Sequence, residues 1–149
     1  MSTFQSEAKI DLEWLEGEDF EIRFNSGGLK QTIVVERSQV PPEKVGGEAR
    51  MLLAAALAEC MASTLFFLLK WAQVEVNRFS ATAIAVTAKD ETGRLNVDSI
   101  DLTLNVDIPQ DEKTLKKLER VKTLFERGCL MSRSLEKGIK VNYAIQTQP

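Results

Sequence analysis

The chain has 149 residues, 44% hydrophobic and 28% charged, with a formal net charge of −3, two cysteines and no histidine. That length suits one domain over residues 1–149 with a single core, and the composition excludes disordered and collagen-like architectures. The missing histidine excludes Ser-His and Cys-His nucleophile pairs and histidine zinc sites. Two cysteines alone cannot make a four-thiolate zinc site or an iron–sulfur cluster, and the net negative charge argues against a nucleic-acid partner.

The N-terminal stretch MSTFQSEAKIDLEW lacks the basic and apolar regions of a secretory signal, so a cytoplasmic protein is expected. There a cysteine pair is free or redox-active more often than structural. From Ala8 to Leu15 the chain alternates, with Ile10, Leu12 and Trp14 on one face and Lys9, Asp11 and Glu13 on the other. Glu16-Gly17-Glu18 signals a tight turn, and Phe20, Ile22 and Phe24 continue the alternation in a second strand. Asn25-Ser26-Gly27-Gly28 is a further turn before a third strand over Leu29–Glu36. An antiparallel meander is expected.

Pro41-Pro42 break the chain, and Gly46-Gly47 add a flexible step. Met51–Leu69 then reads MLLAAALAECMASTLFFLL, with Glu59 as its single charge. Its length allows a membrane span. Small residues fill its middle, however, and the amphipathic strands around it need something to cover. An all-round apolar helix is also what an enclosed core helix looks like, and no membrane partner is expected.

Phe79–Ala88 alternates as a strand, Asp90-Glu91-Thr92-Gly93 is a turn, and Ile100–Ile108 alternates until Pro109 ends it. Asp111-Glu112 open a helix whose apolar face is Leu115, Leu118, Val121, Leu124 and Phe125. Its basic face, Lys113, Lys116, Lys117 and Arg120, reads as solvated surface. Gly128 stops that helix. Leu130–Lys137 fits a short helix closed by Gly138, with a last strand over Ile139–Ile145. The expected class is α+β, in the order βββ-α-ββ-α-α-β, with one sheet wrapped around the apolar helix. One sheet of short strands cannot easily surround such a helix, so a homodimer with paired central helices is expected.

Cys60 lies in the middle of the apolar helix, and Cys129 follows Gly128 at the start of the short helix. Free cysteine is often a small buried hydrophobe, and both fit that reading. Cys129 also sits where a helix N-terminus stabilises thiolate through its dipole and free N–H groups. An apolar surrounding raises the titration of Cys60 unless a cation is near.

LLAAALAEC at Leu52–Cys60 resembles the L-x-A-A-L-A-x-C helix of the OsmC/organic hydroperoxide resistance family. ERGCLMSRSLEKGIKV at Glu126–Val141 is similar to that family's second motif, a cysteine followed by a short helix and Gly-Ile-x-Val. The separation of the two cysteines also fits, and the resemblance spans essentially the whole chain. It implies an intertwined OsmC-like homodimer and a thiol-dependent peroxidase that reduces organic hydroperoxides or hydrogen peroxide without metal or cofactor. In that scheme Cys60 attacks the peroxide and becomes a sulfenic acid, Cys129 resolves it as a disulfide, and an external dithiol restores both.

Three positions depart from the family pattern. Arg50 stands where family peroxidases place a glutamate, ten residues before Cys60. The first hairpin turn, Trp14–Glu18, lacks the expected activating arginine, leaving Arg23 and Arg37 as substitutes. Glu59 precedes Cys60 where a small residue is common, and a nearby carboxylate disfavours thiolate. Ten residues of straight helix span about 15 Å, too far for Arg50 to reach the sulfur unless the helix breaks or Arg50 comes from the other subunit. As helpers of Cys60, Arg50 and Glu48 (a displaced acid) stand beside the plain reading of both as helix-start residues. A second reading is a non-catalytic protein on the same fold, holding an apolar or acyl-type ligand at the dimer interface. A third is an interaction dimer with two structural cysteines.

Overall fold

A computed structural model describes residues 7–24, 28–29, 31–41 and 47–147. The described residues up to Ala49 form one compact unit and those from Arg50 onward a second. The Asn25–Gly27 part of the expected turn and the Pro42–Gly46 part of the expected break lie outside the described residues.

The first unit holds the expected meander: β1 (Ile10–Trp14), β2 (Phe20–Phe24) and β3 (Ile33–Val35), all antiparallel. Trp14 Nε1 donates to Gly17 O (2.9 Å) across the first turn, where Gly17 adopts φ +56°. The register sets Ile10 opposite Phe24, Leu12 opposite Ile22, and Trp14 opposite Phe20. Opposed residues share a face of an antiparallel pair, so these side chains make one apolar sheet face. Ile10, Leu12, Trp14 and Ile33 on that face are nonetheless exposed, and no described side chain of the unit is fully buried.

In the second unit, β4 (Arg78–Lys89) and β5 (Leu95–Asp107) form an antiparallel hairpin with a bulge at Val86/Thr87. β5 begins earlier than its alternation suggests, because Leu95–Ser99 continue the ladder against Val86–Lys89. Asp90 closes the turn by accepting from the N–H groups of Thr92 (2.8 Å) and Arg94 (3.0 Å). The strands therefore lie in two sheets, of three and of two strands, in place of the single sheet expected. Each ladder joins strands that are neighbours along the chain, which needs only a short connection.

Helix α1 spans Gly47–Trp71, α2 spans Glu112–Phe125 and α3 spans Leu130–Lys137. Asp111 caps α2, accepting from Thr114 N (2.9 Å) and Thr114 Oγ1 (2.7 Å). The core gathers Leu65 and Leu69 of α1 with Val74, Ile108 and Val121, Leu69 and Val121 being 0% exposed. Around it pack Phe79, Leu104, Val106, Leu118 and Phe125. α1 is enclosed on one side only: Ala54, Leu57, Leu65 and Leu69 are buried, whereas Met51, Phe66, Phe67 and Trp71 are exposed. By length and composition it could cross a membrane, and 22% of its most apolar stretch is buried. An all-round apolar sequence offers more surface than one hairpin and two helices cover.

The strand expected over Ile139–Ile145 does not form. Residues 139–145 pair with no other strand among the described residues, and Ile139, Val141, Tyr143 and Ile145 are 57%, 81%, 84% and 85% exposed. Alternation selects which side chains share a face, but a strand also requires a neighbour to take its N–H and C=O groups.

Candidate thiol site

Both cysteines lie in the second unit, and neither is in a disulfide. Cys60 stands half-buried in the middle of α1. Its backbone N–H belongs to the helix ladder, as does that of any interior residue. Its carbonyl accepts an extra hydrogen bond from Thr64 Oγ1 (2.8 Å). Cys129 is 3% exposed and is the N-cap of α3.

The cap is reciprocal. Ser132 N–H donates to Cys129 Sγ (3.3 Å), and Cys129 N–H donates to Ser132 Oγ (2.9 Å). Two of the donors left over at a helix start are thereby satisfied, with sulfur in the place of the usual N-cap oxygen. Gly128 makes this possible: its φ is +76°, and a Cβ there would come within 2.7 Å of Ser132 Oγ. The Arg133 guanidinium closes the turn, donating to Gly128 O (2.8 Å) and Arg127 O (3.4 Å).

The two thiols lie near enough at this turn to act on one another's titration, and the Met131 backbone acts on both. Their acidities diverge. Burial pushes the Cys60 thiol above its ordinary range, the Met131 N–H only partly opposes this, and the neighbouring Cys129 and Glu59 push it further up. Burial acts upward on Cys129 too, but the Ser132 backbone and side chain, with Cys60 and Met131, outweigh it and hold that thiol below its ordinary range.

The other residues singled out in the sequence have partners of their own. Arg50 Nη1 donates to Thr87 Oγ1 (2.6 Å) beside the β4 bulge. Within the first unit, Arg23 pairs with Glu13 (2.8 Å), and Arg37 Nε lies 3.9 Å from a Glu48 carboxylate oxygen. Glu59 accepts from Ser63 Oγ one turn along α1 (2.7 Å). The groups that the sequence reading missed are Ser132 and the Met131 N–H. Their signal was a serine three positions after an N-cap cysteine, the spacing of a capping box.

Beside the pair lies a cavity of about 550 Å³ between α1, β5 and α3. Leu53, Leu57 and Met61 line it from one face of α1, Leu102 from β5, and Ser132 and Leu135 from α3. Among the described residues no cluster of His, Cys, Asp or Glu could hold a metal ion.

Two cysteines brought together by a long apolar helix and the cap of a short one, in a mixed α+β fold, define a class of protein. A family profile described as OsmC-like protein matches residues 43–144, and the chain belongs to that family. Its fold is that of solved OsmC-like structures. An OsmC-like protein of unknown function from Vibrio cholerae is 19% identical with a TM-score of 0.66, covering 87% of this chain and 93% of that one. An OsmC-like protein from Mycoplasma pneumoniae is 16% identical with a TM-score of 0.65, covering 89% of each chain. An organic hydroperoxide resistance protein from Elizabethkingia anophelis is 18% identical with a TM-score of 0.52, covering 85% and 88%. No curated protein matches the chain by sequence.

Proposed function

We propose that the protein is a thiol-dependent peroxidase that reduces organic hydroperoxides or hydrogen peroxide through the Cys60/Cys129 couple, with an external dithiol as reductant. One observation carries this reading: the helices set two free thiols near enough to act on one another's titration, one of them held below its ordinary range at the N-cap of α3. Such a pair can give two electrons to a peroxide and store the oxidation as a disulfide. The chemistry requires no histidine and no metal. Family membership and the hydroperoxide resistance protein among the structural relatives support the same substrate class. A cytoplasmic location suits it, because a reducing compartment would return the disulfide to thiols.

The working form is a homodimer. Three apolar surfaces lie open in the single chain: the β1–β2 face with Ile10, Leu12 and Trp14, the α1 residues Met51, Phe67 and Trp71, and the alternating stretch Ile139–Ile145. Monomers rarely leave contiguous apolar surface on this scale in water. Light scattering at micromolar concentration is expected to give twice the chain mass, and a stable monomer would remove the dimer.

The cavity beside the thiols favours one alternative, a protein that binds an apolar or acyl-type ligand without turning it over. Turnover separates the two. With cumene hydroperoxide and dithiothreitol, the protein is expected to consume both in equal amounts. Native mass spectrometry showing a retained acyl ligand, together with no consumption, would favour the binding protein.

A further inference from the structure

The cavity beside the thiols has apolar walls, and the charged residues that line it are acidic: Asp98 on β5 and Glu136 on α3. Leu53, Leu57 and Met61 recur at every fourth position, so one face of α1 forms the apolar side. Ser132 and Glu136 likewise share a face of α3. On β5 the pattern differs. Alternate residues of a regular strand point to opposite faces, yet Val97, Asp98, Ser99 and Ile100 line the cavity in succession. The bulge accounts for this: Val97 opposes Thr87 and Ser99 opposes Val86, so Asp98 is the extra residue between them. A bulge re-aims its extra residue, and here it adds a carboxylate to the cavity.

Asp98 and Glu136 are both exposed, and among the described residues neither carboxylate accepts a hydrogen bond or pairs with a cation. The neighbouring arginines are engaged elsewhere. Arg50, three residues before Leu53 on α1, donates to Thr87 (2.6 Å), and Arg133, next to Ser132, donates to Gly128 O (2.8 Å). Neither lines the cavity. Ser132 marks the thiol end, because its N–H donates to Cys129 Sγ. Glu136 stands one turn further on, about 6 Å along the axis of α3. A hydroperoxide with its O–O group at the sulfurs would extend its far end past this carboxylate. Resting on the peroxidase reading above, we propose that the cavity takes a hydroperoxide with an apolar body and an uncharged or cationic far end, and that Asp98 and Glu136 turn away one that ends in a carboxylate. An anionic end meets like charge and finds no cation on the wall, whereas an uncharged end loses nothing there. Both acidic groups also meet water, so the discrimination is moderate and salt screens it.

The test uses three hydroperoxides of one shape: cumene hydroperoxide, its para-carboxylate and its para-trimethylammonium derivative. With dithiothreitol as reductant at low salt, kcat/KM is expected to be about 3–10-fold lower for the carboxylate than for cumene hydroperoxide. For the ammonium compound it is expected to be no lower. Asp98→Asn combined with Glu136→Gln is expected to bring the carboxylate within about twofold of cumene hydroperoxide, and about 0.5 M salt should do the same in the unaltered protein. Equal rates for the two at low salt, or a difference that survives the substitutions or the salt, overturn the proposal. The corresponding cumyl alcohols cannot react, and titration calorimetry of their binding reads the cavity without turnover. If the alcohols keep the expected order while no hydroperoxide is consumed, the peroxidase reading fails and the charge selection stands. Alcohols bound without regard to charge overturn the selection itself.

Discussion

Cys60 and Cys129 are the same side chain in two settings, and the difference lies in the backbone. A helix interior uses its N–H groups internally, so a thiol there meets apolar neighbours and, in this chain, a carboxylate at Glu59. The first turn of a helix has N–H groups to spare, and α3 turns that of Ser132 toward sulfur. The lowered titration of Cys129 arises without the arginine that is missing from the first hairpin turn. A three-residue offset between Cys129 and Ser132, made possible by Gly128, supplies donors instead.

The largest expected effect is chemical. Cys60→Ser and Cys129→Ser should each lower dithiol-dependent hydroperoxide consumption to background, since either loss leaves no disulfide to reduce; full turnover by one of them would break the idea of a couple. Leu69→Ala comes next. Leu69 is 0% exposed in the core away from the thiols, so its truncation should cost about 2–5 kcal/mol in chemical denaturation while leaving thiolate absorbance where it was. A shift in that absorbance would mean that the core around the C-terminal end of α1 is coupled to the thiols.

Ser132→Ala removes one side of the reciprocal cap but keeps its backbone N–H. Disulfide formation near neutral pH should slow by about 2–10-fold, the value of one hydrogen bond, and recover at higher pH. The pH profile carries a sign. A thiol held below its ordinary range gains thiolate as pH rises through that lowered value, so the rate should rise with pH and level off before an ordinary thiol ionises. Continued rise through the ordinary thiol range would mean that ionisation of Cys129 does not limit the rate. Glu59→Gln should do least, because the carboxylate is exposed, bonded to Ser63, and a minor influence on Cys60; less than about a twofold change in rate is expected.

Much of this was legible in the chain. The alternation of Ile10, Leu12 and Trp14 against Phe20, Ile22 and Phe24 predicted the β1–β2 face. Gly128 and Gly138 framed α3 at the bounds the structure shows. The cysteine motifs singled out Cys60 and Cys129, and the structure sets the two near enough to act on one another's titration. Three features were hidden for physical reasons. Ile139–Ile145 has the pattern of a strand, but pattern does not name a partner for its backbone. Met51–Leu69 is apolar on every side, so no period shows which face the core will take. Arg50 could be placed only by knowing that the β4 bulge brings Thr87 to it.

The central claim is that Cys60 and Cys129 form one redox couple. It is tested most directly by treating the reduced protein with one equivalent of cumene hydroperoxide and mapping its peptides by mass spectrometry after alkylation. The account predicts a single cross-linked pair of peptides containing Cys60 and Cys129, reversed by dithiothreitol. Both thiols still fully alkylated after peroxide would contradict it.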